Sequence, residues 1–295
     1  MELIKLLRPK QWVKNSFLFI PLFFAGELFQ IQKLMSLAGG VLSFSLIASC
    51  VYIINDYRDI EADKKHPKKS ERPLASGSVS KKQALIVLAI CLLCGFGLAF
   101  MLKPKFLFIL SIYFALNLGY SFGLKNISIL DVIIVSIGFV LRVKSGGVLS
   151  EVAVSEWLTL MVFLLALIMA FAKRRDDVLL KLDSGREMRK VVKGYNLEFM
   201  NVTLAMLSAI TIVAYLLYSL AANTFEKWGT HRLYYTCLFV IAGILRYLQI
   251  TFVENNTGSP TAILYKDRFI QACLFLWIVS FYFIIYYPEI KIFGE

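Results

Sequence analysis

Charge is scarce in this sequence: Asp, Glu, Lys and Arg make up 18% of the 295 residues, where soluble domains hold roughly a quarter. Apolar residues reach 58% and the mean hydropathy is +0.69, which excludes an ordinary soluble domain and leaves a polytopic membrane protein. Cysteine is sparse too, and Cys50, Cys91, Cys94, Cys237 and Cys273 all fall in apolar stretches, where they read as small packing residues. The Cys91/Cys94 pair matches a redox motif in spacing only. No small-x-small cleavage site follows Lys14; the chain runs on into Leu22-Phe23-Phe24-Ala25-Gly26, so this stretch reads as a first span and not as a cleavable signal. Paired spans broken by Gly and Pro, expected of a secondary transporter, are absent as well, and the charges crowd at one face.

Nine apolar stretches are present, at about 16–31, 36–54, 83–102, 106–123, 127–149, 155–172, 199–222, 233–253 and 269–287, each near the roughly 20 residues that cross hydrocarbon as a helix. In a soluble protein the net charge of +12 would suggest a nucleic-acid partner; here its distribution assigns it to the membrane. With the N-terminus inside, the large majority of the 32 Lys and Arg fall in cytoplasmic segments, which predicts an N-in, C-out topology in a cytoplasmic membrane. Two long cytoplasmic loops, 55–82 and 173–198, each follow an even-numbered span and are candidate halves of one active site at the cytoplasmic face. Met1–Asn15 reads as a short amphipathic interfacial helix, with Leu3, Leu6 and Leu7 against Lys5, Arg8, Lys10 and Lys14, and Trp12 at headgroup level.

Chemistry concentrates where the second span ends, at Asn55-Asp56-Tyr57-Arg58-Asp59-Ile60-Glu61-Ala62-Asp63. Asn55, Asp59 and Asp63 are spaced by four, so on a helical continuation they share one face, and Asp56 lies three before Asp59. Carboxylates at a membrane edge are costly without a partner. Hard oxygens in this pattern suit Mg²⁺, which takes one or two carboxylates and completes its shell with phosphate and water. Asn55, Asp56, Asp59 and Asp63 are therefore the candidate metal ligands. Lys64, Lys65, His66, Lys68, Lys69 and Arg72 follow, and Pro73-Leu74-Ala75-Ser76-Gly77 shapes a loop able to reach over a cavity. Arg72 is the stronger phosphate candidate because its planar fork chelates, whereas Lys68 supplies point charge; a plain positive-inside loop accounts for the lysines equally well.

The second cytoplasmic loop opens with Lys173-Arg174-Arg175-Asp176-Asp177, which reads either as an anionic-headgroup site or as a stop-transfer signature. Asp131, Arg142 and Lys144 lie within the fifth span and Arg246 within the eighth, and ionisable groups at that depth are functional or paired. Asp131 and Arg142 are eleven apart, about 16 Å along a helix, so each needs another partner. Tyr120-Ser121-Phe122-Gly123-Leu124-Lys125 adds a hydroxyl and an ammonium on the cytoplasmic side, or else an interfacial Tyr with a snorkelling Lys.

Together these residues resemble the UbiA superfamily of intramembrane prenyltransferases, through the Asn55 to Asp63 motif. The similarity is closer to the decaprenyl-phosphate phosphoribosyltransferase branch: His66-Pro67, Arg72-Pro73, the 120–125 motif, Arg142 with Gly146-Gly147, Ala172-Lys173-Arg174, Leu245-Arg246-Tyr247 and Lys266-Asp267-Arg268 carry it along nearly the whole chain. The resemblance implies an all-α membrane protein, a single integral-membrane domain over 1–295 with nine transmembrane helices around a central cavity, capped by loops 55–82 and 173–198. It implies Mg²⁺ as cofactor, phosphoribosyl pyrophosphate as donor, a polyprenyl phosphate lipid as acceptor, and a route toward cell-envelope (cell wall) glycans; a homo-oligomer is compatible with it. On the same basis Asp56, Asp59, Asp63 and Lys173 are expected to be catalytic. Asn55, Lys68, Arg72, Tyr120, Lys125, Arg142, Lys173, Arg174 and Arg246 are expected to bind substrate. Asp176 and Asp177 depart from a purely basic second motif and leave room for transfer of a prenyl group to an aromatic or glycerol acceptor.

Overall fold

The computed structural model describes residues 2–64, 69–184, 190–254, 263 and 266–287, and among them every regular element is helical. Eight helices among the described residues are long and apolar enough to cross a membrane. The chain divides into two compact units, Met1–Ser155 and Glu156–Glu295.

The first unit holds α1 (Glu2–Leu7), a 3-10 helix at Pro9–Phe19, α2 (Ile20–Phe24), α3 (Ile31–Arg58), α4 (Ile60–Lys64), α5 (Lys81–Leu102), α6 (Pro104–Phe122) and α7 (Leu130–Ser150). Local chemistry sets the boundaries. Ser80 and Gln83 form a reciprocal capping box at the start of α5, Pro104 opens α6 where its missing N–H is no loss, and Gly123 ends α6 at φ 142°. α3 is the central helix: it packs on α1, α5, α6, α7 and the 3-10 helix, and buries Leu37, Phe44, Ile47, Ala48 and Val51 in a core shared with Leu18, Leu22, Leu110 and Leu149. By contrast α5 and α6 expose Leu93, Phe100, Met101 and Phe108, the outward apolar surface expected against lipid.

The sequence expectation for the N-terminal region is corrected here. Residues 16–31 form no long span, and Met1–Asn15 is not one interfacial helix. Instead α1 breaks at Arg8, whose backbone is left-handed at φ 54° and ψ 57°, and the 3-10 run and α2 lie along α3 and α7. The reason is a row of polar contacts that amphipathic periodicity does not reveal. Ser49 Oγ donates to the Leu7 carbonyl (2.8 Å), Trp12 Nε1 donates to Ser49 Oγ (3.1 Å), and Asn15 Nδ2 donates to Ser45 Oγ (2.8 Å). Arg142 closes the row by donating Nε to Asn15 Oδ1 at 2.8 Å, with further bonds to the Gly138 carbonyl and the Tyr113 hydroxyl. Its guanidinium also lies 4.7 Å from the Phe44 ring centre and 4.8 Å from that of Tyr113. Asp131 is fully buried in the first turn of α7.

The second unit comprises α8 (Glu156–Ser184), α9 (Leu197–Leu220), α10 (Ala222–Trp228), α11 (Cys237–Phe252, preceded by a 3-10 turn at Arg232–Thr236) and α12 (Arg268–Tyr286). Asn196 caps α9 and Asp267 caps α12 through side-chain oxygens. α8 packs on α9, α9 on α11, and α11 on α12, with Trp277 donating to the Tyr215 hydroxyl, which in turn meets Thr236 Oγ1 at 2.6 Å.

Three substitutions test this packing. A Cβ on Gly146 would fall 2.0 Å from the Leu18 carbonyl oxygen, whereas one on Gly97 meets nothing within 4 Å. Gly146→Ala is therefore expected to lower the thermal midpoint in detergent, overpacking by about 1–3 kcal/mol, while Gly97→Ala leaves it level or raises it. Asn15→Ala strips buried partners from Arg142 and Ser45 and is expected to destabilise by about 1–3 kcal/mol, read from the same melting curves.

Candidate active site

The acidic motif sits where α3 gives way to α4. Helical bonding carries across the junction, Asp59 N–H to the Asn55 carbonyl (3.0 Å) and Asp63 N–H to the Asp59 carbonyl (2.7 Å), but Asp59 itself leaves helical geometry at φ −97° and ψ 10°. The four oxygen-bearing side chains consequently fall into two pairs and do not form one continuous face. Lys125 Nζ bridges Asn55 Oδ1 (3.2 Å) and both oxygens of Asp59 (3.1 and 2.8 Å). Arg72 Nη1 bridges Asp56 Oδ1 (3.0 Å) and Asp63 Oδ2 (2.7 Å). Asp56 and Asp63 are only 2% and 3% exposed, a depth at which an unpaired carboxylate is untenable.

Local structure delivers each cation. Gly123, at a φ that side chains disfavour, turns the chain into a short 3-10 segment at Leu124–Asn126 and aims Lys125 back at α3. Arg72 sits in a loop whose Pro73 carbonyl accepts from Val79 N–H, while Leu74 and Val79 are buried with Leu6, Ile53 and Ile60. Arg8, which sequence reasoning placed only in a membrane anchor, reaches Asp56 with Nη2 at 2.5 and 2.7 Å from its two oxygens. Its sole sequence signal is its place before Pro9, where helix continuation is disfavoured.

A hard divalent ion fits this donor set. Asn55, Asp56, Asp59 and Asp63 offer amide and carboxylate oxygens, and the ammonium of Lys125 and the guanidinium of Arg72 already occupy the two points where those oxygens converge. Among the described residues no three His, Cys, Asp or Glu side chains form a metal cage by themselves, and an ion held here would need further ligands from phosphate and water.

The remaining candidates are distributed. Tyr120 lies half-buried in the last turn of α6, its carbonyl accepting from Gly123 N–H. Arg142 is built into the interior of the first unit by Asn15, Tyr113 and the aromatic rings, not joined to the acidic motif. Lys68, with Lys65 and His66, lies outside the described residues. In the second unit, Lys173, Arg174 and Arg175 do not begin a loop: α8 remains helical through Ser184 because nothing breaks it before Gly185 and Arg174 pairs with Asp177 at 2.9 Å. Lys173 is exposed, whereas Arg174 and Arg175 are buried, the latter donating Nε to Asn201 Oδ1 at 2.7 Å. Arg246 bonds Asp267 and Glu254, and its hydrogen bonds hold the Asp267 carboxyl below the usual carboxylate range.

The chain is similar to known proteins along nearly its whole length. Residues 16–279 match the model of the UbiA prenyltransferase family. The chain is 30% identical to the decaprenyl-phosphate phosphoribosyltransferase of Corynebacterium glutamicum, over 96% of this chain and 86% of that one. It is 31% identical to the enzyme of the same name from Mycolicibacterium smegmatis, over 94% and 90%. The structure of a UbiA homolog from Archaeoglobus fulgidus bound to DMAPP and Mg²⁺ superposes with a TM-score of 0.70 at 22% identity, covering 97% of this chain and 99% of that one, and so shares its fold. With eight membrane-length apolar helices and a family match along nearly its whole length, the chain is an integral membrane protein belonging to the UbiA prenyltransferase family.

Proposed function

We propose that this protein transfers the 5-phosphoribosyl group of phosphoribosyl pyrophosphate to a polyprenyl phosphate, releasing pyrophosphate, with Mg²⁺ as cofactor and with its site at the cytoplasmic face of the inner membrane, N-terminus inside. The observation that carries this reading is the pair of convergent oxygen sites, Asn55 with Asp59 and Asp56 with Asp63, each holding a side-chain cation. Similarity over nearly the whole chain to enzymes named for that transfer supports the choice of substrates.

The chemistry asks little of the protein in proton transfer. A lipid phosphate is already an anionic nucleophile at neutral pH; one of its oxygens bonds to ribose C1 as the bond from C1 to the pyrophosphate oxygen breaks, and the electron pair leaves with pyrophosphate. Positioning and charge stabilisation therefore carry the rate. Mg²⁺ held at the two oxygen pairs, Asn55 with Asp59 and Asp56 with Asp63, would neutralise the leaving pyrophosphate. Arg72 and Lys125 stand beside those carboxylates and bind phosphate oxygens once the acids are engaged, Arg72 through its planar fork. Lys173, exposed on α8 next to the Arg174–Asp177 pair, is assigned to the acceptor phosphate.

Purified protein with Mg²⁺ is expected to release pyrophosphate from phosphoribosyl pyrophosphate only when polyprenyl phosphate is present. Turnover instead with a prenyl diphosphate and an aromatic acid would overturn the assignment in favour of prenyl transfer. Asp59→Asn and Asp63→Asn are each expected to cut turnover by at least about 100-fold while the protein still elutes as a single folded species in detergent. Lys173→Ala is expected to raise the KM for polyprenyl phosphate about tenfold and to leave donor affinity level; equal effects on both substrates would contradict the division of labour.

A further inference from the structure

Arg8 lies outside every motif, yet it makes the shortest contact to the acidic site. It comes from 48 residues upstream of Asp56, straddles both carboxylate oxygens at 2.5 and 2.7 Å, and places its guanidinium 5.1 Å from the Tyr52 ring centre. Its left-handed backbone costs a residue with a side chain about 1–3 kcal/mol, and such strain persists only where the surroundings fix it. They do so on both sides. Leu6 is fully buried with Ile53 and Ile60, the Leu7 carbonyl is held by Ser49, and Trp12 and Asn15 are tied to Ser49 and Ser45.

Among the described residues the ion-pair partners of Asp56, Asp59 and Asp63 are Arg8, Arg72 and Lys125, so three negative charges meet three positive ones. A dication entering this balanced set leaves the side-chain cations in excess unless phosphate oxygens arrive with it. Arg8 is suited to follow that change: its side chain is 24% exposed while Asp56 keeps a second partner in Arg72.

We propose that Arg8 is a phosphate-binding residue of the donor site, latched on Asp56 in the ligand-free protein and transferred to diphosphate oxygens when a divalent cation takes that carboxylate. The inference rests on the reading of the acidic motif as a metal-diphosphate site. It gives the N-terminal segment a role in ligand capture, and it couples cation entry to anion entry through one side chain.

Two variants of the full-length protein test it. Arg8→Gly removes the side chain and accepts the left-handed backbone without strain, so the fold is kept. Arg8→Lys keeps the charge and loses the fork. Mn²⁺ binding without donor is read by electron paramagnetic resonance, and inorganic pyrophosphate binding at saturating Mg²⁺ by calorimetry. In Arg8→Gly, Mn²⁺ is expected to bind at least about threefold more tightly because a competing cation is gone, and pyrophosphate at least about tenfold more weakly. Arg8→Lys is expected to fall between the two for pyrophosphate. Opposite signs for the two probes are the signature of the latch; unchanged affinities, or a parallel loss of both with a lower melting midpoint, overturn it. Neither probe is phosphoribosyl pyrophosphate, so a protein that shows the opposite-sign response without turning that donor over would retain the latch and lose only the proposed reaction.

Discussion

A carboxylate at the edge of a low-dielectric bundle is tolerable only with a counter-charge, and that constraint organises the polar end of the first unit. Asp56 and Asp63 are nearly inaccessible, and neither α3 nor α4 supplies the cation that pairs with them. Arg8 comes from the segment before the 3-10 helix and Arg72 from the loop before α5, while Lys125, from the turn after α6, pairs with Asp59. Each ion pair is thus also a structural tie. The connections that carry these cations are tied to the motif by its charges, and Arg72 is held twice, by Asp56 and by Asp63.

In the proposed reaction the same electrostatics make side-chain cations and a metal-bound diphosphate alternatives for one set of oxygens. Arg72 and Lys125 sit where acid pairs converge and balance their charge, and in the proposed reaction they turn to phosphate when the acids are engaged. A site of this kind is specific for a charge pattern, a dication together with an anion, more than for either component alone.

Much of the fold was legible in the sequence because hydropathy is additive along a helix: eight of the nine expected stretches correspond to membrane-length helices, and the acidic motif falls at the end of α3 as expected. What could not be read was pairing. A repeat of four placed Asn55, Asp59 and Asp63 on one face, but the departure from helical geometry at Asp59 sorted them into different partnerships. The 16–31 stretch is apolar enough for a span, yet Leu18 and Leu22 are used in packing against α3 and α7, and Asn15 is satisfied by residues 30 and 127 positions away. The basic triplet at 173–175 looked like a loop because it is charged; side-chain pairing of Arg174 and Arg175 within the second unit keeps it helical. For the acidic motif and the 16–31 stretch the deciding contact joins residues far apart in the chain or depends on one backbone angle, and neither leaves a periodic trace, whereas Arg174 and Asp177, three apart, carried a helical signal.

The left-handed turn at Arg8 carries a practical corollary for handling the protein. The six-residue helix α1 leads into it, and that helix is anchored by the buried Leu6 and by the Leu7 carbonyl that Ser49 holds. Changes in α1 act on the backbone that presents the Arg8 guanidinium to Asp56, so preparations altered there are expected to differ in the ion pairing of the acidic motif.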